Sequence, residues 1–384
     1  AQRWEPGTAP GHAQVRELDP AFRRVLGVDG EGAWTARWLR LSEHARQALF
    51  PALRVTQRGG AWELPAPKVQ LGLFPLGLQL LLVRFRLAPA ELEELSELLH
   101  VLRHVRGNEV RWELGRGSAD QQLSIPDLDS LQALASWLCS GSSLAAGERY
   151  ARHQVSLILD QAPDPQWQHD WHFRLRRGAR GNYVPPGGEG DDQVLQPRGN
   201  RVVGISREGA ASMSWLVEGC NESFEIQDWP GRFHGVYLSL VLLARAEQLA
   251  LARLAADAAA KVSQLEGLDA LTRGRDEVLG LAERMVRYTL SMVGEDPGGV
   301  TEYASTFRAS RRALGTPAQL DELRAEVSEL FALAESVTLR AEGARHRAEE
   351  LRERSFGRRL ALLGSLFLPG TLVTGFMGMN FPLP

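Results

Sequence analysis

The 384 residues carry 44 Lys and Arg against 47 Asp and Glu, a net charge of −3 that excludes the bulk basicity of a nucleic-acid binder. Two cysteines, Cys139 and Cys220, stand far apart with no Cys-x-x-Cys, so neither a disulfide framework nor a zinc knuckle is indicated, and such sparse use suits a cytoplasmic domain. The length suggests two domains, or one domain plus an extended element, and Arg3, Trp4 and Glu5 interrupt any secretory apolar run.

In chain order, residues up to about 60 are mixed, with a helix expected over 41–49. Residues 79–87 alternate as a strand from Leu81 onward. A helix over 90–106 follows Pro89, which can open one because its missing N–H would be unpaired there, and Gly107 stops it. A strand is expected over 108–114 and a helix over 127–138, opened by Pro126. Strands are expected at 153–160, 170–175, 201–206 and 212–217, with the Gly-, Pro-, Asn- and Asp-rich stretch 178–200 a long surface loop. Residues 1–231 are thus expected to form an α+β domain with strands in runs rather than strict βαβ alternation.

Past Pro230 the composition changes. Residues 237–292 lack proline and are dominated by Leu, Ala, Arg and Glu, good helix formers, while Gly267 and Gly274 allow a turn between two antiparallel helices. The cluster 294–299 breaks the pattern, and Thr316-Pro317 supplies an N-cap and a first-turn proline. No proline intervenes from Ala318 until Pro369, so one long helix is expected, and 232–355 is read as a helical hairpin and stalk. Leu323, Val327, Leu330, Ala334, Val337, Ala341, Ala344, Ala348, Leu351 and Ser355 follow alternating steps of four and three, the seam of a left-handed supercoil. Every seventh residue from Glu322, through Glu329, Ser336, Gly343, Glu350, Gly357, Gly364 and Thr371 to Gly378, is small or polar. In lipid such a row faces other helices or water, so it is either a packing face or a pore-facing line.

From Leu360 to Met379 there is no charge, and about 20 helical residues at 1.5 Å rise span a bilayer core. Arg352, Arg354, Arg358 and Arg359 just before it place the long N-terminal part in the cytoplasm by the positive-inside rule. Residues 356–384 are therefore expected to be a transmembrane helix, with a buried core helix as the other reading. The segment Phe367-Leu368-Pro369-Gly370-Thr371-Leu372-Val373-Thr374-Gly375-Phe376-Met377-Gly378-Met379-Asn380-Phe381 closely resembles the end of the first transmembrane helix of the CorA family of divalent-cation channels, whose Gly-Met-Asn signature follows a Phe-x-Pro-x-Thr turn. The likeness is sharp over some 65 residues and architectural over the rest.

That resemblance implies a homopentameric channel of the bacterial inner membrane, embedded in lipid, with the N-terminal domain cytoplasmic. Gly378, Met379 and Asn380 would form the selectivity motif, Asn380 presenting a neutral carboxamide to the hydration shell of Mg²⁺. Thr371 matches the family's threonine ring, Gly364 lies on the small-residue row, Leu368 stands where a methionine is usual, and Leu360 matches a leucine gate. Departures are Gly343, where the family carries an acidic residue, and the Arg- and Glu-rich 350–357 in place of an Asn- and Ser-rich run. The family's acidic loop, second transmembrane helix and basic tail would lie beyond Pro384, so a truncated chain or a degenerate member is expected, and conduction by these residues alone is left open. A zinc transporter of the ZntB-like branch, to which Leu368-Pro369-x-Thr371 and Thr374-Gly375 also conform, is the nearest alternative; Co²⁺ and Ni²⁺ are further candidate ions. A membrane-tethered cytoplasmic sensor or scaffold is the alternative from another class.

Weaker constellations carry less. His169-Asp170-x-His172 has metal-ligand residue types, but on a strand its first two members would point to opposite faces, which favours a solvated or structural role. His100 and His104, four apart on a helix, could face zinc but lack a third ligand in reach. Glu335, Glu342 and Glu349 opposite Arg340, Arg347 and Arg354 read as a solvated, ion-paired face, with a regulatory cation site between subunits as the minority reading. No phosphate-binding loop, nucleophile elbow or triad appears, and an enzyme is not expected.

Overall fold

The computed structural model describes residues 4–30, 32, 35–43, 45–46, 53–57, 60–64, 67–85, 91–103, 111–114, 152–181, 192–264, 279–280, 282–288, 297–298 and 300–378. Backbone alone is described for 53–61, 63, 111–114, 261–264 and 366–378, and at 330, 333–334, 337–338 and 341 of the last helix. The expected helix at 127–138, the presumed turn at Gly267 and Gly274, His104, Met379 and Asn380 lie outside these residues. The fold is α+β, and the chain divides into two compact units: residues 1–256 with 285–323, and residues 257–284 with 324–384.

Two short helices, α1 (His12–Val15) and α2 (Pro20–Val25), and three sheets open the first unit. Strands β1 (Trp4–Pro6), β2 (Arg37–Leu41), β5 (Lys68–Phe74) and β6 (Leu78–Arg84) form an antiparallel sheet in the order β1-β2-β5-β6. A second antiparallel sheet has β3 (Leu53–Gln57) between β4 (Gly60–Leu64) and β7 (Arg111–Leu114). The third has the order β8-β11-β10-β9, from β8 (His153–Leu159), β9 (Gln193–Arg198), β10 (Arg201–Ile205) and β11 (Gly209–Trp215). Only β8 and β11 pair parallel, the others antiparallel.

Every residue of β10 and β11 is buried, so both faces of the third sheet are covered. The two-residue period of β11 sorts the coverings. Ala211 and Met213 pack with Val155, Leu99, Trp171 and Leu175, placing α3 (Leu92–Arg103) and α4 (Pro165–Arg177) on one face. Ser212, pointing the other way, accepts at 2.8 Å from Trp229 Nε1. Trp229 opens α5 (Trp229–Arg232), which runs through a wide π turn, Phe233–Tyr237, into α6 (Leu238–Gln264).

The strand expected at 170–175 is instead the second half of α4. Asp164 caps the helix, accepting from Gln166 N at 2.9 Å and Trp167 N at 3.2 Å, and Pro165 takes the first turn where its missing N–H costs nothing. Trp167, Trp171 and Leu175 recur every four residues and face the sheet. Gly178 ends the helix at φ 55°, and Arg174, Arg176 and Arg177 lie in its last turn, where the dipole favours cations. Residues 41–49 also differ: Leu41 ends β2, and only 43, 45 and 46 among those described are helical. Within the expected loop 178–200, β9 adds an edge strand to the sheet. The strands expected at 79–87, 153–160, 201–206 and 212–217 are present with shifted ends, as is the helix expected at 90–106.

Helix Phe224–Ala260 is long and apolar enough to cross a membrane, the one such helix among the described residues, but 72% of its most apolar window is buried inside the protein. Leu240, Ala244, Ala246, Leu251 and Leu254 are almost wholly enclosed, as the core helix of an α+β unit requires. At its start the backbone meets the N-terminal segment directly: a Cβ on Gly11, whose φ is +64°, would come within 2.5 Å of Gly235. Ser239 Oγ fastens the same contact by donating to Pro10 O at 2.7 Å. Helix α7 (Thr301–Ala313) packs on β9 and β10.

The second unit contains the end of α6, helical residues 279–280 and 282–284, and most of α8 (Thr316–Gly378), one helix of 63 residues. Arg284 Nη1 lies 3.7 Å from Asp257 Oδ2 within it. The helix expected from Thr316-Pro317 onward is present and continues past Pro369 to Gly378.

Candidate functional site

At 100° and 1.5 Å per residue, Leu360, Gly364, Leu368, Thr371 and Gly378 fall within an arc of about 80° of α8 and span about 27 Å of its length. The continuous helical backbone therefore puts these five expected pore positions on one face. Met379 and Asn380, the other two members of the signature, lie outside the described residues. Leu360 is 55% exposed, and a Cβ on Gly364 would meet nothing within 4 Å. Phe356, Leu362 and Leu363 are 65%, 66% and 57% exposed. Together with Leu360 they spread large apolar groups over an arc of about 160° of the helix, left exposed by the described residues. Water does not favour such a helix; lipid or other copies of it do.

The seam expected for a supercoil begins in the first unit and continues in the second. Leu323 is buried and Val327 half-buried, whereas Ala344, Ala348, Leu351 and Ser355 are exposed. The small-residue row accompanies it, with Glu322, Glu329, Glu350 and Gly357 exposed and Ser336, Gly343 and Gly364 partly covered.

Among the described residues no group of three or more His, Cys, Asp or Glu is placed to hold a metal ion. His169, Asp170 and His172 lie on helix α4, not on a strand. His172 is buried with both ring nitrogens engaged: Nε2 donates to Ala211 O at 3.2 Å, and Nδ1 faces Arg176 Nη1 at 3.5 Å. That geometry fits the neutral Nε2–H ring, and burial with the adjacent Arg176 guanidinium pushes the imidazole down to about 4. His100 donates from Nδ1 to Gly178 O at 3.3 Å, closing the end of α4. His172 and His100 are thus accounted for by packing, whereas His169 and Asp170 are exposed on α4, Asp170 accepting from Gln166 Nε2 at 3.0 Å.

Charge buried in the first unit is paired in three places, none of them marked by the sequence. Asp192 accepts from Arg176 Nε at 2.8 Å and from Arg177 Nη2 at 2.6 Å, all three side chains largely enclosed. Arg201 donates to Glu225 Oε2 at 2.6 Å and stacks 3.7 Å over the Trp229 ring. Glu247, 1% exposed, accepts from Arg311 Nη2 at 2.9 Å, but burial outweighs that cation and lifts the carboxyl to about 7. The partners in these pairs are 16, 24 and 64 residues apart, so no local motif announces them.

Compared with family models, with curated proteins and with solved structures, the chain matches none.

Proposed function

We propose that the chain is a CorA-like membrane transporter or channel for divalent cations, with Mg²⁺ its leading ion. In this reading the C-terminal part of α8 is the first transmembrane helix, and its row of small and polar residues lines a pore shared by five copies of the chain. The N-terminal α+β unit is then cytoplasmic, beneath the bacterial inner membrane, and regulates the pore; no reaction is catalysed. The observation that carries the reading is the fifteen-residue likeness containing Gly378-Met379-Asn380, whose residues 367–378 form the end of a single long helix. Support also comes from the exposed apolar side chains of Phe356, Leu360, Leu362 and Leu363, for which lipid is the natural solvent.

The chemistry follows from the ion. Mg²⁺ gives up its water reluctantly, so a ring of Asn380 carboxamides at the mouth would bind the hydrated ion through its waters, weakly enough to let it leave. Leu360 and Leu368 on the same face would make apolar constrictions that resist passage by dewetting. A ZntB-like zinc transporter is the second reading, favoured by Leu368-Pro369-x-Thr371 followed by Thr374-Gly375.

Divalent-cation flux into liposomes carrying the full-length natural protein tests this, with Mg²⁺, Zn²⁺, Co²⁺ and Ni²⁺ beside an Asn380→Ala variant. Mg²⁺ uptake that the substitution abolishes is the expected result, and preferred Zn²⁺ uptake selects the zinc branch. Absence of any flux overturns transport in favour of a membrane-tethered sensor.

A further inference from the structure

A small cavity of about 20 Å³ lies in the first unit, lined by Arg152, His153 and Ser206 at strand ends of the third sheet, Arg245 of α6, and Ser310 and Leu314 at the end of α7. Its polar lining is cationic in kind. Arg152 and Arg245 are both pulled down to about 10, in each case chiefly by burial. A guanidinium taken out of water is costly unless a negative charge meets it.

Arg152 is not so met. It makes no hydrogen bond or close ion pair with any described residue; Glu208 is within electrostatic reach, but so is Arg207, which repels it. Glu208 is itself shared, lying 3.5 Å from Arg177 Nη1. Arg207 is exposed in the turn between β10 and β11, and its Nη2 stands 3.8 Å from where a Cβ on Gly315 would be. Gly315, at φ +71°, leads into α8, whose first residue Thr316 is fully buried with an Oγ1 that has no hydrogen-bond partner among the described residues. Two arginines and the positive end of a long helix with its unsatisfied hydroxyl thus converge from three segments of the chain. His153 adds a ring nitrogen, Nδ1, that is also buried and unpartnered.

We propose that Arg152 and Arg207, beside this cavity and the first turn of α8, form a binding site for a small soluble oxyanion, namely phosphate or the terminal phosphate of a phosphorylated metabolite. Such an anion is larger than the cavity and would sit over it, one edge toward half-buried Arg152 and the other toward exposed Arg207. Arginine suits this task because its planar fork matches phosphate oxygens. Glu208 would then act against the ligand, as the carboxylate that partly offsets Arg152 when the site is empty. The proposal does not depend on membrane transport, since every group in it belongs to the α+β unit.

Isothermal titration of the full chain with inorganic phosphate and with pyrophosphate tests the site, alongside Arg152→Gln, Arg207→Gln and Glu208→Gln variants. Saturable binding is expected, weakened about tenfold or more by loss of either arginine. Glu208→Gln is expected to tighten it about three- to tenfold, because a competing negative charge is removed. Arg207 is exposed, so its variant keeps the test valid even where Arg152→Gln fails to fold. No saturation by either anion at millimolar concentration, or binding that Arg207→Gln leaves unchanged, overturns the proposal. So does binding of a phosphoserine peptide with none of free phosphate or pyrophosphate, which would make the site one for a protein partner.

Discussion

Glu247 shows how burial and pairing compete at a single carboxyl group. One oxygen accepts from Arg311 at 2.9 Å, the other is enclosed without a hydrogen bond, and the group is lifted to about 7. Its proton is therefore held more tightly in the folded than in the unfolded chain, where an ordinary glutamate titrates at 4.5. The sign follows from linkage: this contribution to stability is full below pH 4.5 and is lost as pH rises through 7, up to about 3 kcal/mol. Denaturant unfolding of the wild type and of Glu247→Gln from pH 5 to pH 8 isolates it, because every other titration is common to both. The difference between the two is expected to grow steadily over that interval, and a difference independent of pH would show that Arg311 holds the carboxylate ionised. Nothing in the sequence around Glu247 marks it, since its partner is 64 residues away and an Ala- and Leu-rich helix conceals one buried acid.

Helix α4 shows what local sequence conveys when the window is long enough. Over 170–175 the residues alternate polar and apolar, which by itself reads as a strand. Extended back to Asp164-Pro165 and forward to Gly178, the same residues carry an N-cap, a first-turn proline, an apolar stripe at Trp167, Trp171 and Leu175, and a left-handed glycine stop. Those signals act together, and the cap is the most separable of them. Asp164→Ala is expected to destabilise the first unit by about 1 kcal/mol, while Asp164→Asn costs only a few tenths, because asparagine caps nearly as well. Equal losses in the two variants, read from chemical denaturation, would mean that charge at the helix start matters more than the capping hydrogen bond. Strands β8, β10 and β11 were legible from their apolar runs, and α8 from its proline-free length. Strands β2 and β5 were not, because Arg40, Lys68 and Gln70 on one face and Arg37 on the other dilute the pattern. For the expected pore, the sequence supplied the residues and the helix supplied their common face. The arginines around the small cavity were illegible, since 55 residues separate Arg152 from Arg207 and only the sheet brings them together.

At the scale of the whole chain, all ten tryptophans fall between residues 4 and 229, so tryptophan fluorescence reports the first unit alone even if the long helix melts separately. Three histidines in that unit, His153, His172 and His234, are each pushed down to about 4, first of all by burial. His153 is held by its Nε2 bond to Leu175 O at 2.6 Å, and His234 feels the positive charge of Arg84. A histidine depressed below its ordinary 6.5 stabilises the fold above that pH, and the contribution disappears as pH falls from 6.5 toward 4. Glu247 works in the opposite direction over the same range, so it offsets one of the three. Near pH 5.5 the unfolded chain therefore takes up roughly two more protons than the folded one, which corresponds to about 2–3 kcal/mol lost per pH unit. Accumulated from pH 6.5 to pH 4 the loss is about 7 kcal/mol, enough to unfold a unit in the lower part of the usual range of about 5–15 kcal/mol. Denaturant titrations followed by tryptophan emission are expected to give maximal stability near pH 7 and a steep decline below pH 6. A stability that stays level from pH 6.5 to pH 5 would mean that the three imidazoles are hydrated in solution and titrate as they do in the unfolded chain. The steep outcome would place the neutral rings of His153 and His172, each bonded to a backbone carbonyl between α4 and the third sheet, among the contacts that hold this unit together.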